Sequence, residues 1–339
     1  MMFWIALLFA LVASFSLTAV MRAYALRRSL IDVPNGRSSH SVPTPRGGGV
    51  SIVAVTILSL LALGAKGCVD TSLALALVGA GSAVAVLGFA DDHGHIAARW
   101  RLAGHFIASA WALFFLGGVP ALTFFGAAVS LGWVGNLAAV VFVVWLLNLY
   151  NFMDGIDGIA SIEALCVCLG ALICYAAAGE MGGELGRPEV FLAMAVAGFV
   201  CWNFPRAHIF MGDAGSGFLG VTIAVLAIAA AWWEPQLFWS WLILLGVFIV
   251  DATFTLLRRL LRGEAVYQAH RSHAYQYAAR RWKRHWPVTI AVAVINLLWL
   301  TPVAAWVATG LVDGATAMVV AYLPLLVLAW WLGAGKAES

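Results

Sequence analysis

Long apolar stretches, separated by short polar segments, run along almost the whole chain. A membrane-spanning helix needs roughly 20 apolar residues, and eleven windows approach that length: 3–21, 48–65, 73–90, 102–119, 134–150, 159–178, 189–203, 217–233, 237–257, 287–309 and 316–333. The alternating apolar and polar positions of a membrane barrel strand are absent. The pattern predicts an all-α fold, a polytopic transmembrane helix bundle of about 10–11 spans, as a single domain over residues 1–339.

Two windows leave the number of spans open. The apolar run 121–150 is too long for one span, and its first part, 121–135, is rich in aromatic residues and glycine. That part either adds to the membrane-spanning region or forms a hairpin at the outer surface. The window 189–203 is short for a span.

Composition excludes a water-soluble globule. Hydrophobic residues make up 63% of the 339 residues and charged residues only 10%, whereas a soluble domain carries roughly 25% charged residues. Lipid tolerates such an apolar exterior, so membrane lipids are expected around the chain. The net charge of +3 is small, and no nucleic-acid partner is expected. The five cysteines lie mostly in apolar runs, which is typical of small buried side chains.

The basic residues are distributed unevenly between the two sides that the windows define. With the N-terminus outside, the inner segments hold 17 of the 19 Lys and Arg residues, and the outer segments hold only Lys66 and Arg187. Because basic residues concentrate in cytoplasmic loops, this bias predicts an outside N-terminus and a cytoplasmic C-terminus. The first apolar run has Arg22 after it and no basic residue before it, which favours an uncleaved spanning helix over a secretory signal.

Most of the distinctive polar motifs fall on the predicted inner side. They are Asp91-Asp92, Asn148-x-x-Asn151, Asp154-x-x-Asp157, Asn203, Asp213 and His270-x-x-His273. A transporter is expected to place such groups near the bilayer midplane, between broken helices. Here the polar motifs collect at one interface instead, which favours chemistry between a soluble donor and a lipid acceptor. The site would be built from the cytoplasmic loops 22–47, 91–101, 148–158, 203–216 and 258–286.

The segment NLYNFMDGIDGIA carries the most specific spacing. Asn151, Asp154 and Asp157 are three residues apart, so that on a helix their side chains would share one face. Carboxylate and amide oxygens suit a hard cation such as Mg²⁺, with phosphate oxygens completing its shell. Mn²⁺ is an alternative cation, and a merely polar helix end is the structural alternative.

Other polar segments also have a chemical and a structural interpretation. The pair Asp91-Asp92 is either a helix stop or a functional pair, acting as a general base or as an indirect metal ligand. Asp213 opens a glycine-containing helix start that suits anions. Phe210 either stacks on a base or anchors its loop.

Two further features lie in the most basic inner loop and in the ninth apolar window. His270 and His273, with Arg271 between them, favour phosphate recognition, and zinc is disfavoured because no further His or Cys stands beside them. Asp251 lies inside the ninth window, where an ionisable side chain is a functional hypothesis by default. It is expected to pair with a basic residue of the site.

Five motifs follow one another along the predicted inner side: DVPNGRSSHSVPTPRGGG, GFADD, NLYNFMDGIDGIAS, NFPRAHIFMGD and AHRSHAYQ. Together they resemble the polyprenyl-phosphate N-acetylhexosamine-1-phosphate transferase superfamily, glycosyltransferase family 4. Within it the pattern is most similar to the bacterial enzymes that start O-antigen synthesis on undecaprenyl phosphate. The resemblance covers most of the chain.

The resemblance implies a reaction. An enzyme of this kind transfers an N-acetylhexosamine 1-phosphate from a UDP-sugar to undecaprenyl phosphate and releases UMP, with Mg²⁺ as cofactor, at the cytoplasmic face of the bacterial inner membrane. The lipid phosphate attacks the β-phosphorus of the donor directly, and a covalent route through an aspartate is the alternative. GlcNAc, GalNAc, FucNAc and QuiNAc are all left open as donor sugars, and a homo-oligomer is left open as well.

The resemblance also implies roles for individual residues. The catalytic positions match Asp91, Asp92, Asp154 and Asp213. The substrate-binding positions match Asp157, Asn203 and Phe210 near the uridine, Arg101, and His270, Arg271 and His273 near the donor phosphates. The Mg²⁺ ligands match Asn151 and Asp213. Two departures from the family pattern are Arg271-Ser272, which interrupt a histidine cluster that is tighter in many relatives, and Arg101, where relatives often have lysine.

Three other classes of protein compete with this interpretation. A flippase or transporter of lipid-linked sugars predicts polar residues at mid-membrane and no Mg²⁺ dependence. A CDP-alcohol phosphotransferase predicts aspartates on two neighbouring helices, and here the Asp-Gly repeat ends in Ile-Ala-Ser without an arginine. A purely structural membrane protein leaves the inner-side aspartates without a role.

Overall fold

The computed structural model describes residues 1–34, 39–94, 96–179, 185–264 and 270–337, and helices dominate it. Residues 35–38 and 265–269 of two predicted site loops lie outside the described residues. The helices are α1 Met2–Arg27, α2 Val50–Ala65, α3 Thr71–His93, α4 Ala98–Leu116, α5 Gly132–Met153, α6 Ile159–Ala177, α7 Arg187–Asn203, α8 Asp213–Trp233, α9 Pro235–Leu244, α10 Gly246–Leu261, α11 Ala274–Trp282, α12 Trp286–Ile295, α13 Thr301–Ala308 and α14 Gly314–Leu332. A π-helical turn, Asn296–Leu300, joins α12 to α13.

Each predicted apolar window holds a helix, which confirms the polytopic helical bundle. Among the described residues, seven helices are long and apolar enough to cross a membrane, or up to eight if one bent pair is a single span. This count is below the predicted 10–11. The shortfall has a simple cause: α2 and α7 have only 16 and 17 residues, and α4 carries Arg99 and Arg101 in its first turn.

The central helix of the bundle is α8. It packs most extensively against α3 and α5, and every residue from 214 to 231 is buried. A helix that is apolar on all sides belongs inside such a bundle. The helices α1 and α14 lie at the periphery and leave most of their apolar surface exposed, which suits contact with lipid.

The window 237–257 is not the single straight span that the sequence predicted. It forms α9 and α10, which meet at an angle of 69°. Leu245 lies at the break with ψ of 5°, outside helical geometry. Gly246, a poor helix former, follows it and begins α10. Hydropathy alone cannot reveal such a bend, because the two helices together still pass as one apolar span.

The open question about residues 121–135 is settled in favour of a hairpin. Strand β3, Leu122–Phe124, pairs antiparallel with β4, Ala127–Val129. The hairpin is tied to the bundle by Trp239, whose indole N–H donates to the Thr123 carbonyl at 2.8 Å. Asp313 also accepts a hydrogen bond from the Gly126 N–H at 3.1 Å. Because the hairpin directly precedes α5, it lies at the opposite end of the bundle from Met153, the last residue of α5.

Polar side chains gather where the ends of α3 and α5 meet the start of α8. Gly88 brings α3 close to α8, because a Cβ at this position would lie 2.6 Å from the backbone of Asp213. A second short pair of strands, β1 Ile31–Asp32 and β2 Thr44–Pro45, lies beside this end. Its continuation binds the segment before α8, where Gly49 N–H donates to the Met211 carbonyl at 2.9 Å.

Candidate active site

A guanidinium joins two carboxylates at the polar end of the bundle. Arg101 Nη1, from the first turn of α4, forms a short contact with Asp91 at the end of α3 and lies 3.0 Å from Asp213 Oδ2 at the start of α8. The other Asp91 oxygen accepts the Ile96 N–H at 2.7 Å. Three predicted site residues from three helices are thus in direct contact.

The second aspartate of the pair points the other way, into the protein. Asp92 is only 4% exposed, and its Oδ2 accepts the Ala214 N–H at the start of α8 at 3.4 Å. Arg46 donates to the Asp92 carbonyl at 2.6 Å and its Nε lies 3.9 Å from the carboxylate. Adjacent aspartates therefore have different surroundings: Asp91 faces Arg101, and Asp92 faces α8 and Arg46.

The amide of Asn151 is oriented by α8. Its Nδ2 donates to Asp213 Oδ1 at 2.9 Å and to Ser216 Oγ at 3.1 Å. Since both of its donor hydrogens have partners, Asn151 Oδ1 is the atom that can face a cation or a donor group. The two predicted metal ligands, Asn151 and Asp213, are hydrogen-bonded neighbours.

Asp92, Asn151 and Asp213 line a cavity of about 280 Å³ that we call the acidic cavity. Its described walls are Asp32, Ser39, His40, Arg46, Asp92, Asn151, Asp154, Gly155, Ile156, Asn203, Phe210, Gly212, Asp213, Ser216 and Gln276. Burial raises the pKa of Asp154 well above its usual range, and the charges of Asp213 and Asp92 raise it further. The cavity concentrates carboxylates that repel one another and so favours a bound cation.

The arrangement suits a divalent cation that brings its own ligands. Among the residues that the structure describes, no three His, Cys, Asp or Glu side chains form a group able to hold a metal ion by themselves. Mg²⁺ commonly takes one or two carboxylates and completes its shell with water and substrate phosphates. The Asp213 carboxylate and the Asn151 amide oxygen fit this mode of binding.

A second, larger cavity of about 480 Å³ adjoins the first, and we call it the basic cavity. It is lined by Ser39, His40, Ser41, Val42, Thr44, Asp157, Pro205, Arg206, Ala207, Phe210, Ala279, Arg280, Lys283, Arg284, His285 and Trp286. The two cavities share Ser39, His40 and Phe210. The Phe210 ring, packed edge-on against His40 with centroids 4.9 Å apart, stands between a carboxylate-rich space and a cation-rich one.

The predicted common face of Asn151, Asp154 and Asp157 is wrong. Helix α5 ends at Met153, so both aspartates lie in the turn that follows. Gly158, with a φ of 74°, closes that turn. Asp154 therefore lines the acidic cavity, whereas Asp157 lines the basic cavity.

Asn203 lines the acidic cavity, but its amide is engaged with the backbone. Its Oδ1 accepts the Gly158 N–H at 3.0 Å, and its Nδ2 donates to the Ile209 carbonyl at 3.0 Å. The side chain is 3% exposed. In this structure Asn203 connects the turn after α5 to the segment before α8.

The histidine motif lies beside the cavities and is not part of their described walls. His270 and His273 stack with ring centroids 4.8 Å apart, and His273 is only 2% exposed. Arg271 contributes its carbonyl to a hydrogen bond from Arg280 at 2.9 Å. The role of these three residues in phosphate recognition stays a prediction.

Asp251 explains why His273 is buried. Its two oxygens accept the N–H groups of Ala274 and Tyr275 at 2.8 and 3.0 Å, at the start of α11. His273 Nδ1 lies 3.4 Å from the same carboxylate. Asp251 therefore caps α11, an anion–helix contact of the kind that stabilises an N-terminus. Its contact with His273 agrees with the prediction that it pairs with a basic residue of the site.

Helix α11 in turn supports the turn after α5. Tyr275 donates its hydroxyl hydrogen to the Phe152 carbonyl at 3.0 Å, and Gln276 reaches the acidic cavity. Sequence reasoning missed Gln276, His40 and His285 as lining residues, and it included Arg46 only as part of the predicted site loop 22–47. Their partners lie in distant segments, so no local spacing marks them.

Comparison with known proteins adds independent information. The model of the family described as Glycosyl transferase family 4 matches residues 74–231, which include Asp91, Asp154 and Asp213. The chain is 30% identical over 279 residues to the probable undecaprenyl-phosphate N-acetylglucosaminyl 1-phosphate transferase of Bacillus subtilis, covering 80% of this chain and 75% of the relative.

Two further relatives cover still more of the chain. The decaprenyl-phosphate N-acetylglucosaminephosphotransferase of Mycolicibacterium smegmatis is 28% identical over 363 residues, with 94% of this chain and 87% of the relative covered. The undecaprenyl-phosphate alpha-N-acetylglucosaminyl 1-phosphate transferase of Thermotoga maritima is 27% identical over 296 residues, with 86% and 88% covered.

Proposed function

This chain belongs to glycosyl transferase family 4, the polyprenyl-phosphate sugar-1-phosphate transferases, and on that premise we propose that it transfers an N-acetylhexosamine 1-phosphate from a UDP-sugar to undecaprenyl phosphate. UMP is the second product. Relatives are named for N-acetylglucosamine transfer, so UDP-GlcNAc heads the set of candidate donors. The reaction would be the initiating step of O-antigen or related surface glycan synthesis at the cytoplasmic face of the inner membrane.

One observation carries the proposal: carboxylates from three separate helix ends converge at one end of an apolar bundle. Asp91 and Asp213 share Arg101, and Asp154 lines the same cavity as Asp213. Charged groups at the end of an apolar bundle would be within reach of a soluble nucleotide and, at the same time, of a phosphate at the lipid surface. A transporter would place these groups nearer the middle of the bundle.

The chemistry is an exchange at phosphorus. An oxygen of the lipid phosphate forms a bond to the β-phosphorus of the donor, and the bond from that phosphorus to the oxygen bridging to the α-phosphorus breaks, with UMP leaving. The reacting groups are all anionic, so catalysis depends mainly on positioning and charge compensation. Direct attack by the lipid phosphate is the route we propose.

Different side chains of the site contribute to positioning and to charge compensation. Arg101 and Arg46, which flank the paired aspartates, would compensate phosphate charge and keep Asp91 and Asp92 in place. Asp154, with its raised pKa, holds its proton to higher pH than an ordinary carboxyl group. That limits the negative charge in the cavity while the substrates enter.

A magnesium ion fits the acidic cavity. Asn151 and Asp213 would hold it, with Mn²⁺ as an alternative. When bound, the ion would offset the charge of the donor diphosphate. In this proposal the donor nucleotide binds in the basic cavity, on the other side of Phe210. Asp157 lines that cavity. An aromatic ring at that boundary can stack on the uracil base.

The proposal is tested by incubating the purified protein with Mg²⁺, undecaprenyl phosphate and each UDP-N-acetylhexosamine, and measuring both UMP and the lipid-linked sugar phosphate. Asp213→Asn should lower turnover by about 10²–10³-fold, because a charged group at the reacting centre is lost. Asp70→Asn is the matched control. Asp70 caps α3 at the opposite end through a single oxygen, which asparagine can replace, so its activity should equal that of the wild type. Wild-type turnover in Asp213→Asn would remove this residue from the mechanism.

A further inference from the structure

His285, just before α12, contacts two separate walls of the basic cavity. Its Nδ1 lies 3.1 Å from Asp157 Oδ2, and its Nε2 lies 3.0 Å from the Ser39 carbonyl oxygen. Thr289, one turn into α12, donates its hydroxyl hydrogen to the Asp157 carbonyl at 2.8 Å. The start of α12 is thus connected to the turn after α5 and to the segment that begins at Ser39.

The partners of the two ring nitrogens determine the protonation state that this arrangement needs. A carbonyl oxygen only accepts, so the contact with Ser39 requires a proton on Nε2. A neutral imidazole would then direct the Nδ1 lone pair at the Asp157 carboxylate, which is repulsive. Only the imidazolium donates to both oxygens at once. Without the second proton, Nδ1 can accept only from the Asp157 N–H, at 3.5 Å.

We propose that His285 is a positioning residue of the donor site, whose imidazolium holds the Asp157 carboxylate and the Ser39 segment in the arrangement that receives the nucleotide. This inference rests on the proposed function, because it takes the basic cavity as the place where the UDP part of the donor binds. His285 acts through Asp157 and not on the reacting phosphorus. The link spans 128 residues of sequence, so it depends on the folded protein.

The charges around His285 determine how the contact responds to pH. Burial lowers the pKa of His285, but the hydrogen bond and charge of Asp157 and the Ser39 carbonyl outweigh it, and the pKa rises above its usual 6.5. The other charged or titratable groups that line the same cavity are His40, Arg206, Arg280, Lys283 and Arg284. Because its pKa is raised, His285 stays an imidazolium at neutral and acidic pH. It loses its second proton as the pH rises through that pKa. Donor binding should therefore weaken on the alkaline side.

The test compares wild type with His285→Gln, using the UDP-sugar that the wild type turns over. The kcat and the KM for the donor are measured between about pH 6 and 9. Glutamine can donate to one oxygen but carries no charge and does not titrate. We expect the donor KM at neutral pH to rise about tenfold, which corresponds to one charge-assisted hydrogen bond, with kcat within about twofold. The alkaline rise of KM seen in the wild type should be absent from the variant.

His208→Gln is the matched control, because His208 is an exposed histidine at the same end of the bundle. It should keep the wild-type KM and the wild-type pH profile. A His285→Gln variant with wild-type KM and an unchanged alkaline limb overturns the inference. So does a loss of kcat at constant KM, because that result would place His285 at the chemical step.

A second variant keeps the inference testable if His285→Gln does not fold. Asp157→Asn should also abolish the alkaline limb, and the double variant Asp157→Asn/His285→Gln should bind the donor no worse than Asp157→Asn alone, because both remove one contact. Additive losses overturn the inference. If the wild type itself releases no UMP from any donor, the proposed function fails and the inference fails with it. An active wild type with unaltered variants defeats the inference alone.

Discussion

Arg101 Nη1 lies 3.0 Å from Asp213 Oδ2 and reaches across from α4 to the start of α8. The same nitrogen contacts Asp91, so one guanidinium fixes the spacing of two carboxylates from different helices. The arginine side chain remains about one-third exposed, at 34%. It can therefore leave one of these partners for a phosphate oxygen without being pulled from the interior of the protein.

Removing the Arg101 charge should reduce turnover much more than changing its shape. Arg101→Met leaves Asp91 and Asp213 without their shared cation, and we expect kcat/KM to fall about 100-fold. Arg101→Lys keeps a donor that can contact both carboxylates but loses the planar fork, and it should stay within about tenfold of the wild type. The rate of UMP release at saturating lipid acceptor is measured for both variants. Equal effects of the two substitutions would show that charge is not what Arg101 contributes.

Asn203 should matter for stability at least as much as for binding. Asn203→Ala leaves the Gly158 N–H and the Ile209 carbonyl without their buried partner. Such a loss costs about 2 kcal/mol and should lower the thermal midpoint in detergent by about 3 °C. Asn151→Ala is the comparison, because its partners are Asp213 and Ser216 within the site. It should lower activity with a smaller change in midpoint. A normal midpoint for Asn203→Ala would contradict this structural role.

The sequence predicted the helical bundle well because membrane helices carry their signal locally. Each apolar window contains a helix, and the polar motifs at positions 92, 151, 154 and 213 meet around one cavity. The bend at Leu245 was missed because α9 and α10 together are apolar enough to pass as one span. The shared face of Asn151 and Asp157 was wrong because the helix ends four residues before Asp157, at Met153.

Other contacts join distant segments and could not be predicted from the sequence. His273 was predicted to recognise phosphate, and the structure adds a contact with Asp251 that holds it within the protein. No local spacing in the sequence predicts the pairing of Asp157 with His285. In both cases the partner is chosen by how α10, α11 and α12 pack, which is a property of the fold and not of any motif.

The close fit between the turn after α5 and α11 can be tested with a single methyl group. A Cβ at Gly155 would overlap the Tyr275 hydroxyl, so Gly155→Ala should displace α11 and lower both activity and thermal midpoint. Adding Tyr275→Phe removes the overlapping oxygen and should restore part of the loss, although the hydrogen bond to Phe152 is then gone. Activity and midpoint are measured for both variants.

Gly64→Ala provides the control for this pair. Gly64 lies inside α2 near its far end, and a Cβ there would meet Ala74 at 3.4 Å, an ordinary contact. Alanine also favours helix more than glycine does. The variant should be as active as the wild type. If Gly155→Ala behaves like Gly64→Ala, the α5 turn and α11 are not packed as described.

The stability of the protein should fall on mild acidification, in part because of His270. The pKa of His270 is lowered to about 3, mainly by burial and also by the charges of His273 and Arg259, while the charge of Asp251 acts in the opposite direction. The unfolded chain binds a proton near the usual value of 6.5, so between these two values the unfolded state holds more protons. Stability therefore drops as the pH falls through this window. His270→Gln should show a shallower decline of midpoint with pH there and run parallel to the wild type above about pH 7.5. Identical slopes below pH 6 would contradict the assignment.

The proposed orientation of the site can be checked by labelling single cysteines at the two ends of the bundle. Ser72, at the start of α3, and His208, in the segment before α8, are both exposed and lie at opposite ends. In a background without Cys68 and Cys201, a membrane-impermeant maleimide should label Ser72→Cys on intact cells. His208→Cys should react only after the membrane is permeabilised, because the basic residues predict that the site end faces the cytoplasm. Labelling of His208→Cys on intact cells would place the carboxylates outside, where a cytoplasmic UDP-sugar could not reach them.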